Sequence, residues 1–358
     1  MTTRERFQKV MHWQQPDCIP NMEFGYWDET IEKWHHQGLP LTIRTNEDVE
    51  RYLGLEGVEI IPWLPVKNVL FPRFEYRILE ESEKYRVIQN EEGIICEVPK
   101  TGESIPRYLK YGIENRADWE RYKEERLNSA LATRIGDIQQ AVQQAHQQGM
   151  PIRFDAGSLY GVLRNWMGVE NISIAIMTDR DWVEEMMEHL TDLTLSLIDK
   201  ALPGVTVDMA WWWEDMCYNK GPLISPRLFQ ELMVPRYQRI TRALKKYGVD
   251  LNILDCDGCI YELIPGWLEA GINCMFPIEA LHTDPIKLRQ IYGRDLLLMG
   301  GVNKMELIKG KAAIDLELSR LAPLVEQGGY IPMVDHRLPS DVTFENYLYY
   351  LEKKKAIL

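Results

Sequence analysis

The sequence lacks the excess of basic residues that binding to nucleic acids or anionic membranes requires. Its 358 residues include 41 lysines and arginines against 54 aspartates and glutamates, which gives a formal net charge of −13 with neutral histidines. Sequence-independent binding to phosphate-rich polymers or anionic lipid needs a basic face. The composition therefore argues against both kinds of binding and favours small molecules and proteins as partners.

Long hydrophobic runs and clustered cysteines are also missing. No stretch approaches the roughly 20 apolar residues of a membrane span, and the charged start at residues 1–7 has no apolar core typical of an export signal. Scattered cysteines predict reduced thiols rather than a disulfide framework. We therefore expect a soluble, cytoplasmic protein. The six cysteines are Cys18, Cys96, Cys217, Cys256, Cys259 and Cys274.

Motifs for nucleotide or redox chemistry are absent as well. Neither GxGxxG nor GxxxxGK[ST] occurs, and the pair at residues 300–301 is too short to form a phosphate-binding loop. Cys256 and Cys259 form a single CxxC, but a closed zinc site needs a second pair at matching spacing. We interpret both thiols as packing residues, so other side chains must carry the chemistry.

The pattern that is present alternates between helix and strand from about residue 119 onward. About seven short buried runs, counting residues 19–25, are separated by long helical segments. This alternation is typical of a parallel sheet that is closed or doubly wound. Polar and glycine residues follow six of the runs, as expected where strand ends meet at the rim of a barrel. We therefore predict an α/β fold built as a single (β/α)8 TIM barrel.

Residues 67–113 differ from this pattern. They contain short β-rich runs separated by charged or glycine turns, which predicts an antiparallel β excursion near the N-terminus. No Pro/Gly/Ser linker marks a domain boundary. We therefore predict one domain over residues 1–358, with residues 67–113 as a β-rich insertion.

Asp255, Asp257 and His336 are the candidate catalytic residues. The two aspartates follow a strand-like run two positions apart, so extended backbone directs both side chains to one face. Two such carboxylates share a proton, bind a hard cation or divide acid and base roles; the alternative is that Asp257 caps a helix and Asp255 is a solvated strand end. His336 follows the last strand-like run, where a histidine suits proton donation or metal binding.

Aromatic and polar residues at other predicted strand ends are candidates for substrate binding. Indoles can line a pocket for a flat aromatic ring or a methylated cation, although ordinary core packing is the alternative for at least one of them. Alternation along the strand places Trp211 and Trp213 on one face and Trp212 on the other. Glu214 either binds a substrate group or pairs with Lys220. The predicted binding residues are Trp27, Trp166, Trp211, Trp213, Glu279 and Asn303.

Three segments, residues 4–20, 254–271 and 328–339, are similar to the uroporphyrinogen decarboxylase superfamily. They read RERFQKVMHWQQPDCIP, LDCDGCIYELIPGWLEAG and GGYIPMVDHRLP. The resemblance extends over nearly the whole chain and implies a (β/α)8 barrel with its pocket at the carboxyl rim. The superfamily includes decarboxylases and also methyltransferases that work with a corrinoid.

Two departures from the family patterns point to the methyltransferase branch. Decarboxylases carry an arginine-rich element after the first strand, whereas residues 21–28 of this chain contain no arginine. Thiol-specific methyltransferases of the family carry His-x-Cys and a later Cys as zinc ligands. The resemblance places Asp255 and Asp257 at the first two of these positions and His336 at or beside the third. This hard donor set suits proton transfer or binding to oxygen rather than thiol activation.

The resemblance therefore implies the methyltransferase subunit of a corrinoid-dependent O-demethylase. Its methyl donor is expected to be a methoxylated compound, such as an aryl methyl ether, and its acceptor cob(I)amide. No Asp-x-His-x-x-Gly corrinoid motif is present, so a separate corrinoid protein is the expected partner. Asp255, Asp257, His336 and Glu214 are placed at the reacting oxygen, and the first three would also be the ligands of a zinc ion. The alternatives are a decarboxylase of a small acid and a non-catalytic barrel that binds a corrinoid or tetrapyrrole; a homodimer is compatible with each.

Overall fold

The computed structural model describes residues 1–100 and 106–358. In these ranges the strands are β1 (Arg77–Glu81), β2 (Tyr85–Gln89), β3 (Ile95–Pro99), β4 (Arg107–Lys110), β5 (Arg153–Gly157), β6 (Met209–Trp213), β7 (Cys217–Tyr218), β8 (Gly221–Pro222), β9 (Asn252–Asp255), β10 (Cys274–Phe276), β11 (Leu297–Val302) and β12 (Tyr330–Val334). The helices are α1 (Thr3–Met11), α2 (Asp28–His35), α3 (Asn46–Leu53), α4 (Arg116–Arg126), α5 (Ile138–Gln147), α6 (Tyr160–Met167), α7 (Val169–Thr178), α8 (Arg180–Ala201), α9 (Pro226–Leu232), α10 (Val234–Lys246), α11 (Ile264–Glu269), α12 (Pro285–Tyr292), α13 (Lys304–Ile308), α14 (Lys311–Gln327) and α15 (Phe344–Lys355).

Six strands form one parallel sheet in the order β12-β11-β10-β9-β6-β5. Every residue of β10, β11 and β12 is buried, as expected for parallel strands covered on both faces. The helices that connect successive strands supply this cover, so the predicted α/β fold with a parallel sheet is confirmed. In this register Trp213 of β6, Asp255 of β9 and Phe276 of β10 lie side by side.

Two extended segments continue the parallel sheet at its edges. Trp63 forms a parallel bridge with Arg153 at the start of β5, and Tyr26 forms one with Leu338, beyond the end of β12. The two segments also contact each other through backbone hydrogen bonds from residue 56 to residue 21 (3.0 Å) and from residue 58 to residue 23 (3.1 Å). The segment that contains Tyr26 therefore lies beside β12, and the segment that contains Trp63 lies beside β5.

The predicted antiparallel excursion is present as a four-stranded meander in the order β1-β2-β3-β4. Its edge strands β1 and β4 are exposed along their whole length. The hydroxyl of Tyr122, in α4, donates a 2.6 Å hydrogen bond to the carbonyl of Glu92 in the β2–β3 turn. This contact and the packing of Phe74 on Tyr122 fix the meander to the helical layer.

The first helix begins where its local sequence signal places it. Thr2 and Glu5 form the capping box predicted for the first helix, with each side chain bonded to the other residue's amide. The longest helix, α8, buries one face formed by Met186, Leu190 and Leu197 and leaves the other polar. None of the helices in the described part of the chain is both long and apolar enough to cross a membrane.

Candidate active site

The structure brings Asp257 and His336 into contact beside Asp255. Asp255 is the last residue of β9, and His336 lies two residues beyond the end of β12. The Nε2 atom of His336 is 3.2 Å from Oδ2 of Asp257. Gly258 permits the turn that follows, because it adopts a φ of +82° and a Cβ atom here would lie 2.7 Å from the Tyr218 carbonyl oxygen. Residues from two distant parts of the chain thus meet at one sheet edge.

Asp255 is electrostatically the most unusual of these residues. Burial raises the pKa of its carboxyl well above the usual range, and the neighbouring charges of Asp257 and Asp215 raise it further. Arg153 and Arg337 oppose this shift more weakly. None of the described residues donates a hydrogen bond to the Asp255 carboxyl. The raised pKa favours the protonated carboxyl, which is the form that can donate a proton to a bound oxygen.

Glu214 does not join this cluster, which corrects the expectation that it faces the substrate. Its fully buried carboxylate accepts hydrogen bonds from the amides at the start of α6, at distances of 2.7 to 2.9 Å, and one of 2.7 Å from Tyr237. Ser158 donates a further bond of 3.1 Å. Both oxygens are thus occupied by the N-terminus of α6, where a carboxylate stabilises the helix. The predicted alternative partner, Lys220, is not bonded to it.

Asp215 contributes the carboxylate that the sequence analysis assigned to its neighbour. It has a positive φ of 33° two residues beyond the end of β6, and its Oδ2 atom forms a 2.7 Å ion pair with Nη2 of Arg164. Burial raises the pKa of Asp215, while Arg164 lowers it. The sequence contains a signal for this residue, because Asp215, like Glu214, follows the end of a predicted strand. The turn in the backbone decided which of the two acids faces Asp255.

Aromatic rings form a continuous wall beside the carboxylates. Trp211 contacts Phe276 edge-on at 4.9 Å between ring centroids, and Phe276 contacts Phe24 at 4.5 Å. Phe24 then contacts His336 at 5.5 Å, and Trp27 stacks on the same imidazole at 5.7 Å. The site therefore combines an apolar aromatic surface with acidic groups. Phe24 and Phe276 were not singled out from the sequence.

The three consecutive indoles divide as strand alternation requires. Trp212 is fully buried on the helical side, where it packs edge-on against Tyr237. Trp211 takes part in the aromatic wall, and Trp213 lies under the guanidinium group of Arg164 at 5.7 Å. Trp211 and Trp213 are thus placed on the side of β6 that carries Asp255 in the neighbouring strand.

The remaining predicted binding residues have other placements. Trp166 is fully buried in α6 against Tyr122, beneath the antiparallel meander, so it cannot contact a substrate beside Asp255 without rearrangement. Asn303 caps α13 by accepting a 3.0 Å bond from Met305. The placement of Trp166 corrects the expectation of substrate contact, because packing encloses its side chain. Capping uses only Oδ1 of Asn303, and the binding role of this residue stays a prediction.

Glu279 lies in a separate group of charges near the strand ends. Its carboxylate accepts a 2.9 Å hydrogen bond from the amide of Gly258 and lies 3.4 Å from Nζ of Lys304. Nζ of Lys304 is also 3.4 Å from Oδ1 of Asp335. Burial raises the pKa of the Asp335 carboxyl. Glu279 thus supports the turn that carries Asp257 and is linked to the residue that precedes His336.

The described side chains do not provide the donor set that the predicted zinc ion needs. Within residues 1–100 and 106–358, no group of three or more histidine, cysteine, aspartate or glutamate side chains is arranged to hold a metal ion. Asp257 uses Oδ2 for His336, while its Oδ1 is buried without a partner. In this arrangement the side chains do not converge as three ligands for a metal ion; this holds for Asp255, Asp257 and His336.

Comparison with known proteins places the chain in a family. The family model of uroporphyrinogen decarboxylase (URO-D) matches residues 91–356. The chain belongs to the URO-D family. A search of curated protein sequences finds no match. Among solved structures, a methyltransferase from Methanosarcina mazei is similar over 99% of this chain and 98% of its own, with a TM-score of 0.64 and 14% identity. At this identity the likeness shows that the two proteins share a fold.

Membership in the URO-D family confirms the resemblance carried by the three sequence segments. Two of these segments, residues 254–271 and 328–339, lie inside the matched range and contain Asp255, Asp257 and His336. The family match therefore covers the cluster itself and the parallel sheet strands on which it is built.

Proposed function

We propose that this URO-D family protein is the methyltransferase subunit of a corrinoid-dependent demethylase. Its donor would be a methoxylated compound, most simply an aryl methyl ether, and its acceptor cob(I)amide on a partner corrinoid protein. The observation that carries this proposal is a carboxyl group with a raised pKa, Asp255, beside the Asp257–His336 pair and an aromatic wall. The fold shared with a methyltransferase is consistent with it.

Cleavage of a methyl ether leaves the bonding electron pair on oxygen, and stabilising that oxygen is the demanding part of the reaction. The corrinoid acceptor supplies the nucleophile that takes the methyl group. Asp255 donates its proton to the departing oxygen, which leaves as a phenol or alcohol. His336, which is partly exposed and paired with Asp257, is suited to return a proton to the site from solvent. The aromatic wall holds the ring of the donor.

We also propose that the scaffold is a single closed (β/α)8 barrel over residues 1–358. Such a barrel needs eight strands. Six would be the strands of the parallel sheet, and the other two would be the extended segments at residues 19–26 and 56–64. The meander within residues 67–113 is then an insertion into the barrel. This arrangement is supported by the position of Asp255 at the carboxyl end of β9 and of His336 just past that of β12, where barrel active sites lie.

A second candidate is a decarboxylase acting on a small acid. It is favoured by the guanidinium groups of Arg153, Arg164 and Arg337 near the acidic cluster, since arginine binds carboxylates in a bidentate manner. The proposed methyl transfer uses the same cluster, so the two functions differ in which bond of the bound molecule breaks. A non-catalytic barrel that binds a corrinoid or tetrapyrrole is the third outcome to be distinguished.

The test is incubation of the purified protein with a reduced corrinoid protein and a panel of methoxylated aromatic compounds. A change in corrinoid absorbance to that of the methylated form, with stoichiometric release of phenol, supports the proposal. Release of CO₂ from an acid without methyl transfer supports the decarboxylase instead, and binding without turnover supports the carrier. A variant with an exposed histidine replaced, His36→Ala, serves as the matched control for His336→Ala.

A further inference from the structure

Arg153 is a buried arginine beside the aromatic wall. It begins β5, and only 4% of the residue is exposed. Its guanidinium carbon lies 3.8 Å from the ring centroid of Trp63 and 5.0 Å from that of Trp211. Contact with both indoles holds the planar group in place. Trp63 itself is 45% exposed, so the neighbourhood of this guanidinium is open to solvent on one side.

Apart from the two indoles, the guanidinium group of Arg153 has no hydrogen-bond or ion-pair partner among the described residues. Its Nε atom is buried without a hydrogen bond, and no ion pair or hydrogen bond joins the side chain to residues 1–100 or 106–358. The other two buried arginines of the described ranges differ in this respect. Arg134 and Arg289 each donate several hydrogen bonds to backbone carbonyls, for example to Val69 at 2.9 Å and to Gly328 at 3.1 Å.

Burying a cation without an ion-pair partner costs folding free energy. A negatively charged group on a bound ligand would offset this cost. Burial lowers the pKa of Arg153 to about 10, which still leaves the side chain charged at neutral pH. Glu59, Glu50, Asp255 and Asp155 are close enough to influence it electrostatically, but none of them forms an ion pair with it. The positive charge is therefore available to an incoming anion.

We infer that Arg153 binds a carboxylate on the methyl donor, and this inference rests on the proposed function. The donor class is then a methoxylated aromatic acid rather than a neutral aryl ether. Its ring would lie beside the indole of Trp211, with its carboxylate at Arg153 and its methoxy oxygen toward Asp255. One guanidinium group matches one negative charge, and the acidic side chains of Glu59 and Asp155 nearby disfavour a dianion such as phosphate.

Equilibrium binding without any corrinoid protein tests this inference separately from the reaction. The probes are 4-methoxybenzoate and the neutral 4-methoxybenzyl alcohol, followed by calorimetry and by quenching of indole fluorescence. We expect the unmodified protein to bind the benzoate at least about 10-fold more tightly than the alcohol, as for a charge-assisted contact. Arg153→Met should weaken benzoate binding about 10- to 100-fold and alcohol binding less than about threefold; Arg153→Lys should fall between.

Arg294→Met is the matched control, because Arg294 also lies over an indole, Trp13, but at an exposed position. It should leave both affinities unchanged. Equal binding of the two probes by the unmodified protein would overturn the inference without the use of any variant. Equal loss of both probes in Arg153→Met, with an unchanged Tm, would also overturn it and assign Arg153 to packing. Selective benzoate binding without methyl transfer would retain the carboxylate site and reject the demethylase.

Discussion

The Nε2 atom of His336 lies 3.2 Å from Oδ2 of Asp257 while Trp27 stacks on the same imidazole ring. The carboxylate fixes one nitrogen and the indole fixes the plane, so the ring has a defined orientation at the rim of the sheet. A histidine held in this manner can exchange protons with a bound oxygen in one geometry. The two partners, Trp27 and Asp257, are far apart in sequence, and replacing either of them should change the orientation of the imidazole.

The first prediction concerns this pair. His336→Ala should lower the rate of methyl transfer by about 10²- to 10⁴-fold, the usual contribution of a general acid or base. Asp257→Asn should lower it less, because the imidazole remains but loses the carboxylate that orients it. Single-turnover measurement of methyl transfer to the corrinoid protein provides the rates. Unchanged turnover in His336→Ala, with the exposed control His36→Ala also unchanged, would remove the imidazole from the mechanism.

The second prediction concerns proton donation by Asp255. Asp255→Asn preserves the shape of the side chain but removes its transferable proton. The rate should fall by about 10²- to 10⁴-fold for methoxybenzoates with poor leaving groups. The loss should shrink for nitro-substituted donors, whose phenoxides leave without protonation. A plot of rate against the pKa of the leaving phenol measures this; equal losses across the series would contradict a role in proton donation.

The third prediction is a pH-dependent stability difference at the same residue. Burial raises the pKa of Asp255 in the folded protein above its unfolded value of about 3.9. Its contribution to stability is therefore fully present below about pH 4 and is lost as the pH rises toward the folded pKa. Asp255→Asn should thus raise Tm by at least about 2 °C at pH 8 and lose this advantage at pH 4. Calorimetric scans at both pH values check the sign.

The sequence predicted the scaffold well because its signals are periodic and local. Alternating buried runs and helical segments correctly indicated a parallel sheet, and β-rich runs with charged turns indicated the meander. The meeting of Asp257 and His336 followed from a topological rule, since the carboxyl ends of parallel strands lie at one edge. No knowledge of side-chain packing was needed for these results.

The errors arose where the backbone leaves its regular path or where distant segments pack. Strand alternation could not assign Glu214 and Asp215, because the backbone turns to a positive φ at Asp215, two residues beyond the end of β6. Trp166 lies under the meander through contacts that no local pattern encodes. Arg153 resembled a strand residue in a buried run, and only the three-dimensional arrangement reveals that its Nε atom is buried without a hydrogen bond.

The last prediction tests the contact that joins the N-terminal segment to the parallel sheet. Glu23 accepts hydrogen bonds from the amide of Val334 and from Tyr350, and it forms an ion pair with Lys354; both charged side chains are fully buried. Lys354→Met leaves this carboxylate uncompensated and should reduce the free energy of unfolding by about 3–5 kcal/mol. Adding Glu23→Gln should recover part of the loss, while the exposed control Lys355→Met should change little. Urea denaturation gives these values, and a loss below about 1 kcal/mol would show that the N-terminal segment does not depend on this ion pair.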